Sequence, residues 1–372
     1  MHDNGDMSPR SWIAALLVLA GCAAPAPERP PMTATEGRAL VARYLPAKLS
    51  DRAGWAADIY AAFATLKIEP TPRHVCAVVA ITEQESGFQV DPAIPNLGAI
   101  AWKEIERQRD RAGIPKLVLD TALALPSTNG KSYRERIDAA RTEGELSDVF
   151  EDFIGRVPMG KRFFEDRNPV RTAGPMQVGV AFAKAQAARS YPYPVNGSIR
   201  DEVFTRRGGM FFGIAHLLDY AAPYDDDIYR FADFNAGRYA SRNAAFQAAV
   251  SELSGIPLVL DGDLVRFAGG EPAKEAGSTE LATRAIASQL RLDASDIRHD
   301  LERGRDAGFE TSRLYTRVLE LADRAKGKPV ARAVIPRIDL QSSKITRKLT
   351  TEWFARRVAE RQRNCLARGD RL

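Results

Sequence analysis

The chain has 372 residues, of which 45% are hydrophobic and 27% charged, a composition typical of globular proteins and a length sufficient for one large domain or two small ones. No apolar run reaches the roughly 20 residues that cross a bilayer, which excludes an integral membrane protein. The four histidines and three cysteines lack metal-ligand spacing, so neither a metal nor a cofactor is expected.

The N-terminus has the pattern of a secretory signal. Arg10 precedes an apolar stretch at 12–20, which ends in Leu19-Ala20-Gly21-Cys22. This tetrapeptide resembles a lipobox, so we expect residues 1–21 to be removed as a signal peptide and Cys22 to carry lipid. The other interpretation is an ordinary signal peptide with a chance cysteine.

The lipid site predicts an envelope protein. Residues 22–32 are rich in Pro and Ala and predict an extended tether. Ala23, in place of an Asp, favours anchoring in the outer membrane facing the periplasm, and export excludes nucleic acid as a partner. In that oxidising compartment Cys76 and Cys365 can pair, although Cys76 also fits a buried apolar position. Residues 324–372 carry 14 Lys or Arg against 4 Asp or Glu, which fits a solvated face or contact with an acidic polymer.

Helical patterns dominate the folded part, which we divide into 33–255 and 256–372. Cap residues and apolar spacing predict helices near 33–45, 51–67, 72–86, 180–189, 200–221, from 226 onward, and near 241–253, 279–326 and 343–366. Three or four more polar helices are predicted between 97 and 154. Apolar runs at 256–260 and 264–267, joined by Asp261-Gly262-Asp263, predict a hairpin. The expected fold class is mainly α with one small β-hairpin.

Three short segments, in chain order, carry a resemblance. They are Gln84-Glu85-Ser86-Gly87 after an apolar run, Gly174-Pro175-Met176-Gln177, and Phe234-Asn235-Ala236-Gly237. Together they resemble the lytic transglycosylase and goose-type lysozyme superfamily, which has Glu-Ser, Gly-x-Met-Gln and Tyr-Asn-Ala-Gly in this order. The resemblance covers about 71–250 and implies a lysozyme-like α-helical domain. As a whole, the chain also resembles a YaiW-like family of bacterial envelope lipoproteins.

The superfamily resemblance implies cleavage of peptidoglycan glycan strands, with Glu85 as the single catalytic acid/base. Such an acid must stay protonated near neutral pH, whereas an ordinary glutamate has a pKa of ~4.3. A position at a helix C-terminus after the apolar run 78–81 would raise that pKa. Glu83 lies about 200° around the same helix, so it cannot share a cleft with Glu85. The plainer alternative for Glu85 is a surface glutamate at a helix end.

The resemblance also implies a substrate-binding set. Glycine lets a glycan approach the backbone, methionine offers an apolar contact, and glutamine can hydrogen-bond an N-acetyl group. The plainer alternative is a loop before a helix and a helix C-cap. The implied contact residues are Ser86, Gly174, Met176, Gln177, Phe234, Asn235 and Gly237.

The chain departs from the superfamily pattern at three points. Phe234 stands where Tyr is usual, and Pro175 where Leu is commoner. Glu85 and Gly174 lie about 90 residues apart, which is far for the superfamily. The helical block at about 97–167 is therefore interpreted as an insertion that caps or lengthens the cleft or binds a partner.

The possible reactions differ in the number of catalytic carboxylates that they need. A glycoside hydrolase of the usual kind needs two, and only Asp91 and Asp233 are near the motifs in sequence. Neither belongs to a motif. The sequence therefore favours a lytic transglycosylase, in which the muramic acid C6 hydroxyl attacks C1 of its own sugar and leaves a 1,6-anhydro end. The alternatives are lysozyme-type hydrolysis and a non-catalytic lipoprotein that binds glycan or a partner.

Overall fold

The computed structural model describes residues 32–157, 159, 162, 164, 167–268, 270–340 and 349–369. Residues 34–372 form one compact unit. The predicted signal peptide, the lipid site Cys22, the tether up to residue 31 and the predicted start of the last helix lie outside the described residues.

The protein is mainly α-helical, as the sequence predicts. In the part of the chain that the structure describes, three short antiparallel pairs, β1–β2, β3–β4 and β5–β6, accompany the helices. In chain order the elements are α1 (Ala34–Tyr44), α2 (Arg52–Leu66), α3 (Pro72–Glu85), α4 (Leu97–Ala112), α5 (Lys116–Ala124), α6 (Tyr133–Ala139), α7 (Glu143–Arg156), β1 (Thr172–Ala173), β2 (Val178–Gly179), α8 (Val180–Arg189), α9 (Ile199–Val203), α10 (Arg206–Leu218), α11 (Asp227–Ala236), α12 (Ala240–Ser254), β3 (Phe267–Ala268), β4 (Glu271–Pro272), α13 (Ser278–Ala285), α14 (Ala287–Leu290), α15 (Ala294–Glu302), α16 (Arg313–Lys326), β5 (Asp339–Leu340), β6 (Leu349–Thr350) and α17 (Thr351–Gly369).

The hairpin predicted at 256–267 is wrong in position. Residues 256–266 form no strand, and the pairing falls later, between β3 and β4. Side chains of α12 take the hydrogen bonds that a partner strand would need: Gln247 Oε1 accepts from Gly262 N at 2.8 Å, and Asn243 Nδ2 donates to Gly262 O at 3.0 Å. The turn is therefore bound to a helix instead of closing a hairpin.

The long helix predicted at 200–221 is also wrong, because the chain breaks between α9 and α10. Thr205 Oγ1 accepts from Gly208 N at 3.0 Å and so caps a new helix. Gly208 lies so close to the preceding segment that a Cβ there would be 2.0 Å from Glu202 O. The helices predicted between 279 and 326 are confirmed as α13, α14, α15 and α16.

The described residues form three apolar cores. The main core lies between α1, α2, α3, α10, α11 and α17, and a second lies between α12 and the helices α13 to α16. Although the sequence assigns it to a separate C-terminal region, α17 packs directly on α3 and α11. A disulfide between Cys76 of α3 and Cys365 of α17 joins residues 289 positions apart.

The insertion has a small core of its own. Its helices α4 to α7, four as the sequence allows, enclose Leu123, Tyr133, Ile137 and Val149. The insertion is fastened to the chain just beyond α3, where Ile94 N donates to Arg141 O at 2.8 Å. Its base therefore lies beside the segment that follows Glu85.

Candidate functional site

Glu85 is the last residue of α3 and is partly exposed. Thr71 caps the start of this helix, since its Oγ1 accepts from His74 N at 3.2 Å. Residues 75–82 are fully buried, and Gly87, with φ of 60°, follows the end of the helix. A carboxylate thus lies where a buried helix reaches the surface, at the negative end of its dipole.

Ser86 joins the first motif to the second. Its side chain is buried, and its Oγ donates its one hydrogen to Pro175 O at 2.8 Å, with Thr82 O as the more distant acceptor at 3.2 Å. Pro175 belongs to the turn between β1 and β2, the Gly-Pro-Met-Gln segment. Segments 89 residues apart are therefore held together immediately beside Glu85.

The side chains of this turn are largely used inside the protein. Met176 is fully buried, and Gly213 of α10 makes room for it, since a Cβ there would be 2.5 Å from Met176 Sδ. Gln177 Nε2 donates to Gly174 O at 3.2 Å, and its Oε1 accepts from Thr172 Oγ1 at 3.4 Å. The predicted glycan contact of Met176 is thus corrected to packing, whereas Gln177 is partly exposed.

Gly174→Ala is expected to cost about 3 kcal/mol or more of stability. Gly174 has φ of 76°, and a Cβ would lie 2.3 Å from Val203 O, so left-handed strain and a backbone clash add. Gly113→Ala is the control, because Gly113 has φ of 67° with nothing within 4 Å, and should cost about 1 kcal/mol. Urea unfolding of both variants measures the difference, and equal losses would contradict the close packing of the turn.

The third motif ends α11 and contacts α10 and α17. Asn235 is exposed, and its Oδ1 accepts from Thr351 Oγ1 at 2.9 Å at the start of α17. Phe234 is partly buried, its carbonyl oxygen lies 3.2 Å from His216 Nε2, and its ring centroid lies 5.0 Å from that of His216. Gly237 follows the helix with φ of 111°. The contacts of Asn235 are therefore with α17.

Helix α10 contacts the helix that carries the first motif and both of the other motifs. Thr82 Oγ1 of α3 lies 3.9 Å from Met210 Sδ of α10, Met176 packs on Gly213, and His216 contacts the third motif. The first two motifs meet directly, and the third reaches them through α10 and α17.

Glu83, the other acid at the end of α3, is held by α17. Its carboxylate lies 3.6 Å from Arg361 and 3.5 Å from Arg368, both on α17. Glu83 therefore faces α17, and the geometry of a helix places Glu85 about 200° further around the axis of α3.

The two other candidate carboxylates, Asp91 and Asp233, accept hydrogen bonds from backbone N–H groups. Asp91 Oδ1 accepts from Gly144 N at 3.2 Å, at the start of α7. Asp233 is fully buried, and burial raises the pKa of its carboxyl group. Its oxygens accept four hydrogen bonds, from Tyr220 Oη (3.1 Å), Tyr224 Oη (2.8 Å), Tyr239 N (2.9 Å) and Ser241 N (2.7 Å).

His216 gives the fold a pH dependence. Burial, reinforced by the Arg238 charge, lowers the pKa of His216 to about 4 from its ordinary 6.5. Since the folded state favours neutral imidazole, the stability it contributes is complete above pH 6.5 and is lost as the pH falls towards 4, by about 3 kcal/mol. Urea unfolding at several pH values should show this loss in the wild type and in a His299→Gln control, but not in His216→Gln. An unchanged loss in His216→Gln would contradict the assignment.

Sequence reasoning missed the part that α17 plays beside the site. Besides contacting Glu83, this helix lines two surface hollows of about 460 and 410 Å³, the larger one bordered by Trp353, Arg356 and Arg363. The basic composition of 324–372 was the available signal, but it gave no position in the fold. Within the described ranges, no group of His, Cys, Asp and Glu could hold a metal ion, and no helix is long and apolar enough to cross a membrane.

A family model described as "Protein of unknown function (DUF1615)" matches residues 48–368, and the chain belongs to this family. It is also 51% identical over 354 residues to a protein of Escherichia coli (strain K12) named "Uncharacterized protein YaiW". The matched region covers 95% of this chain and 96% of the relative. No solved structure matches the chain.

Proposed function

We propose that this protein is a lytic transglycosylase with a lysozyme-like domain, which cleaves the β-1,4 bond between N-acetylmuramic acid and N-acetylglucosamine in peptidoglycan. The observation that carries the proposal is the hydrogen bond from Ser86 Oγ to Pro175 O. It brings the Glu-Ser and Gly-x-Met-Gln segments, which resemble those of the superfamily, into contact beside a helix-end carboxylate.

In the proposed mechanism, Glu85 protonates the leaving glycosidic oxygen. The C6 hydroxyl of the same muramic acid attacks C1, and Glu85 then accepts the hydroxyl proton, so one carboxylate serves as acid and base. The buried helix behind Glu85 and the bond between Ser86 and the turn support a fixed position for this group. We assign the N-acetyl contact to Gln177, because its side chain is partly exposed in the turn.

We propose transglycosylation and not hydrolysis because neither candidate for a second catalytic carboxylate, Asp91 or Asp233, is available for the reaction. Hydrolysis needs a nucleophile or a base for water in addition to the acid. Asp91 is bonded to the backbone of α7, and Asp233 is fully buried with four donors, so both are occupied structurally. This supports the reaction that needs only Glu85.

Digestion of purified sacculi with the full-length protein tests the proposal. Mass spectrometry of the released fragments should show 1,6-anhydro-muramic ends. Reducing ends would instead identify a lysozyme-type hydrolase. Absence of any release would contradict an enzymatic function.

A non-catalytic, glycan- or partner-binding lipoprotein is the second candidate. The observation that favours it is the hollow of about 460 Å³ bordered by Trp353 and by arginines of α17, a combination of aromatic and cationic groups suited to acidic saccharides. Binding to sacculi without cleavage, lost in Trp353→Ala, would support this function over the first.

We also propose that Cys22 is lipidated and holds the protein at the outer membrane, facing the periplasm. The sequence pattern at 19–22 is the support for this proposal. Mass spectrometry of the mature N-terminal peptide should find an acylated cysteine, and an unmodified Cys22 would contradict it.

A further inference from the structure

Exposed apolar side chains are concentrated in the insertion. Among the described residues, twelve large apolar side chains are strongly exposed, and seven of them lie between 97 and 167. Four of these seven belong to α5 or its immediate flanks: Ile114 (42%), Leu117 (77%), Val118 (57%) and Leu125 (53%).

Two of the four residues belong to the helix itself. Leu117 and Val118 share one face of α5 with Thr121, while Ile114 lies two residues before the helix and Leu125 directly after it. We call these four exposed side chains the stripe. The opposite face of the helix supplies Leu123 and Leu119 to the core of the insertion. Helix α5 is therefore amphipathic, and its outer apolar face has no packing partner within the described part of the chain.

Cationic groups lie at both ends of this stripe. Arg111 precedes Ile114, and Lys131 lies in the turn after Leu125, where Ser127 N donates to Lys131 O at 2.7 Å. Both side chains are exposed. Arg111 is attracted by Glu104 and Lys131 by Glu135, but neither forms a close ion pair with a residue that the structure describes. The nearby acid Asp120 is already paired with Lys116 and Arg134.

The size of the stripe discriminates between possible partners. Four such side chains expose on the order of 400 Å², about half of the ~800 Å² per partner that a stable protein interface buries. Membrane binding has no such threshold, because it grows with the apolar area inserted and with attraction to anionic headgroups. An apolar stripe with cations at its ends is complementary to such a surface.

We infer that α5 is a membrane-contact helix, whose stripe enters the interfacial region of a bilayer that carries anionic lipid. The contact is independent of the proposed chemistry at Glu85. It would place the insertion at the membrane and give the protein an attachment in addition to the predicted lipid.

A local fluorescence probe tests this contact in the full-length protein. L117W is mixed with vesicles of phosphatidylcholine and phosphatidylglycerol whose acyl chains are brominated, and V259W is the matched control, since Val259 is 65% exposed outside the insertion. The emission of native tryptophans such as Trp55, Trp102 and Trp353 is subtracted by measuring the wild type under the same conditions. The remaining emission of L117W should be quenched about twofold more than that of V259W, with a shift to shorter wavelength. Because the comparison is local, quenching through any other membrane anchor affects both variants equally.

The charge requirement is tested in the same assay. Adding R111Q and K131Q to L117W should reduce the quenching to the level seen with phosphatidylcholine alone. Equal quenching of L117W and V259W, or none, would overturn the proposal. Quenching that does not depend on phosphatidylglycerol would overturn the proposed requirement for anionic lipid. A concentration-dependent blue shift of L117W without vesicles would assign the stripe to a second copy of the chain instead.

Discussion

Glu85→Gln is expected to reduce the release of fragments from sacculi by about a thousandfold, because the amide can neither give the proton to the leaving oxygen nor accept one back. The side chains have nearly the same size, and Glu85 lies at the partly exposed end of α3, so the fold should be unaffected. Rates of fragment release, followed by chromatography at equal protein concentration, measure the change.

Glu83→Gln is the matched control for this experiment. It makes the same chemical change on the same helix, but on the face that pairs with Arg361 and Arg368. The ion pairs are only partly buried, so we expect a loss of about 1 kcal/mol of stability and cleavage within about threefold of the wild type. If Glu83→Gln abolished cleavage while Glu85→Gln retained it, the catalytic acid would be Glu83 and our assignment of Glu85 would be wrong.

The position of Glu85 on α3 could be predicted because local signals define that helix. Thr71 and Pro72 start it, an apolar run makes it buried, and Gly87 follows its end. The same reasoning failed at 256–267, where apolar alternation suggested strands. There the hydrogen bonds go to Gln247 and Asn243, which are close only in the folded chain.

The composition of the site was only partly predictable for the same reason. The motifs indicated that Ser86 and the 174–177 turn belong together, but the bond to Pro175 depends on the path of the chain around the insertion. The burial of Met176 follows from the glycine at 213, whose role no local pattern reveals. Likewise, the contacts of α17 with Glu83 join segments more than 270 residues apart, beyond the range of any periodicity argument.

Loss of the disulfide is expected to have the largest effect on stability. The bond between Cys76 and Cys365 closes a loop of 289 residues between α3 and α17, and the chain-entropy cost of such a loop in the unfolded state reaches about 6 kcal/mol. Both cysteines are fully buried, and α17 packs on α3 along the main core, so the bond joins elements that already fit together. We expect Cys76→Ser with Cys365→Ser to lose about 2 to 5 kcal/mol.

Urea unfolding with and without dithiothreitol separates the bond from the substitutions. The reduced wild type should approach the double variant, because both lack the constraint on the unfolded chain. Cys22→Ala removes the third cysteine and should keep the full stability of the wild type together with its sensitivity to dithiothreitol. Equal stability of oxidised wild type and double variant would mean that packing of α17 on α3 alone holds the C-terminal helix against the candidate site.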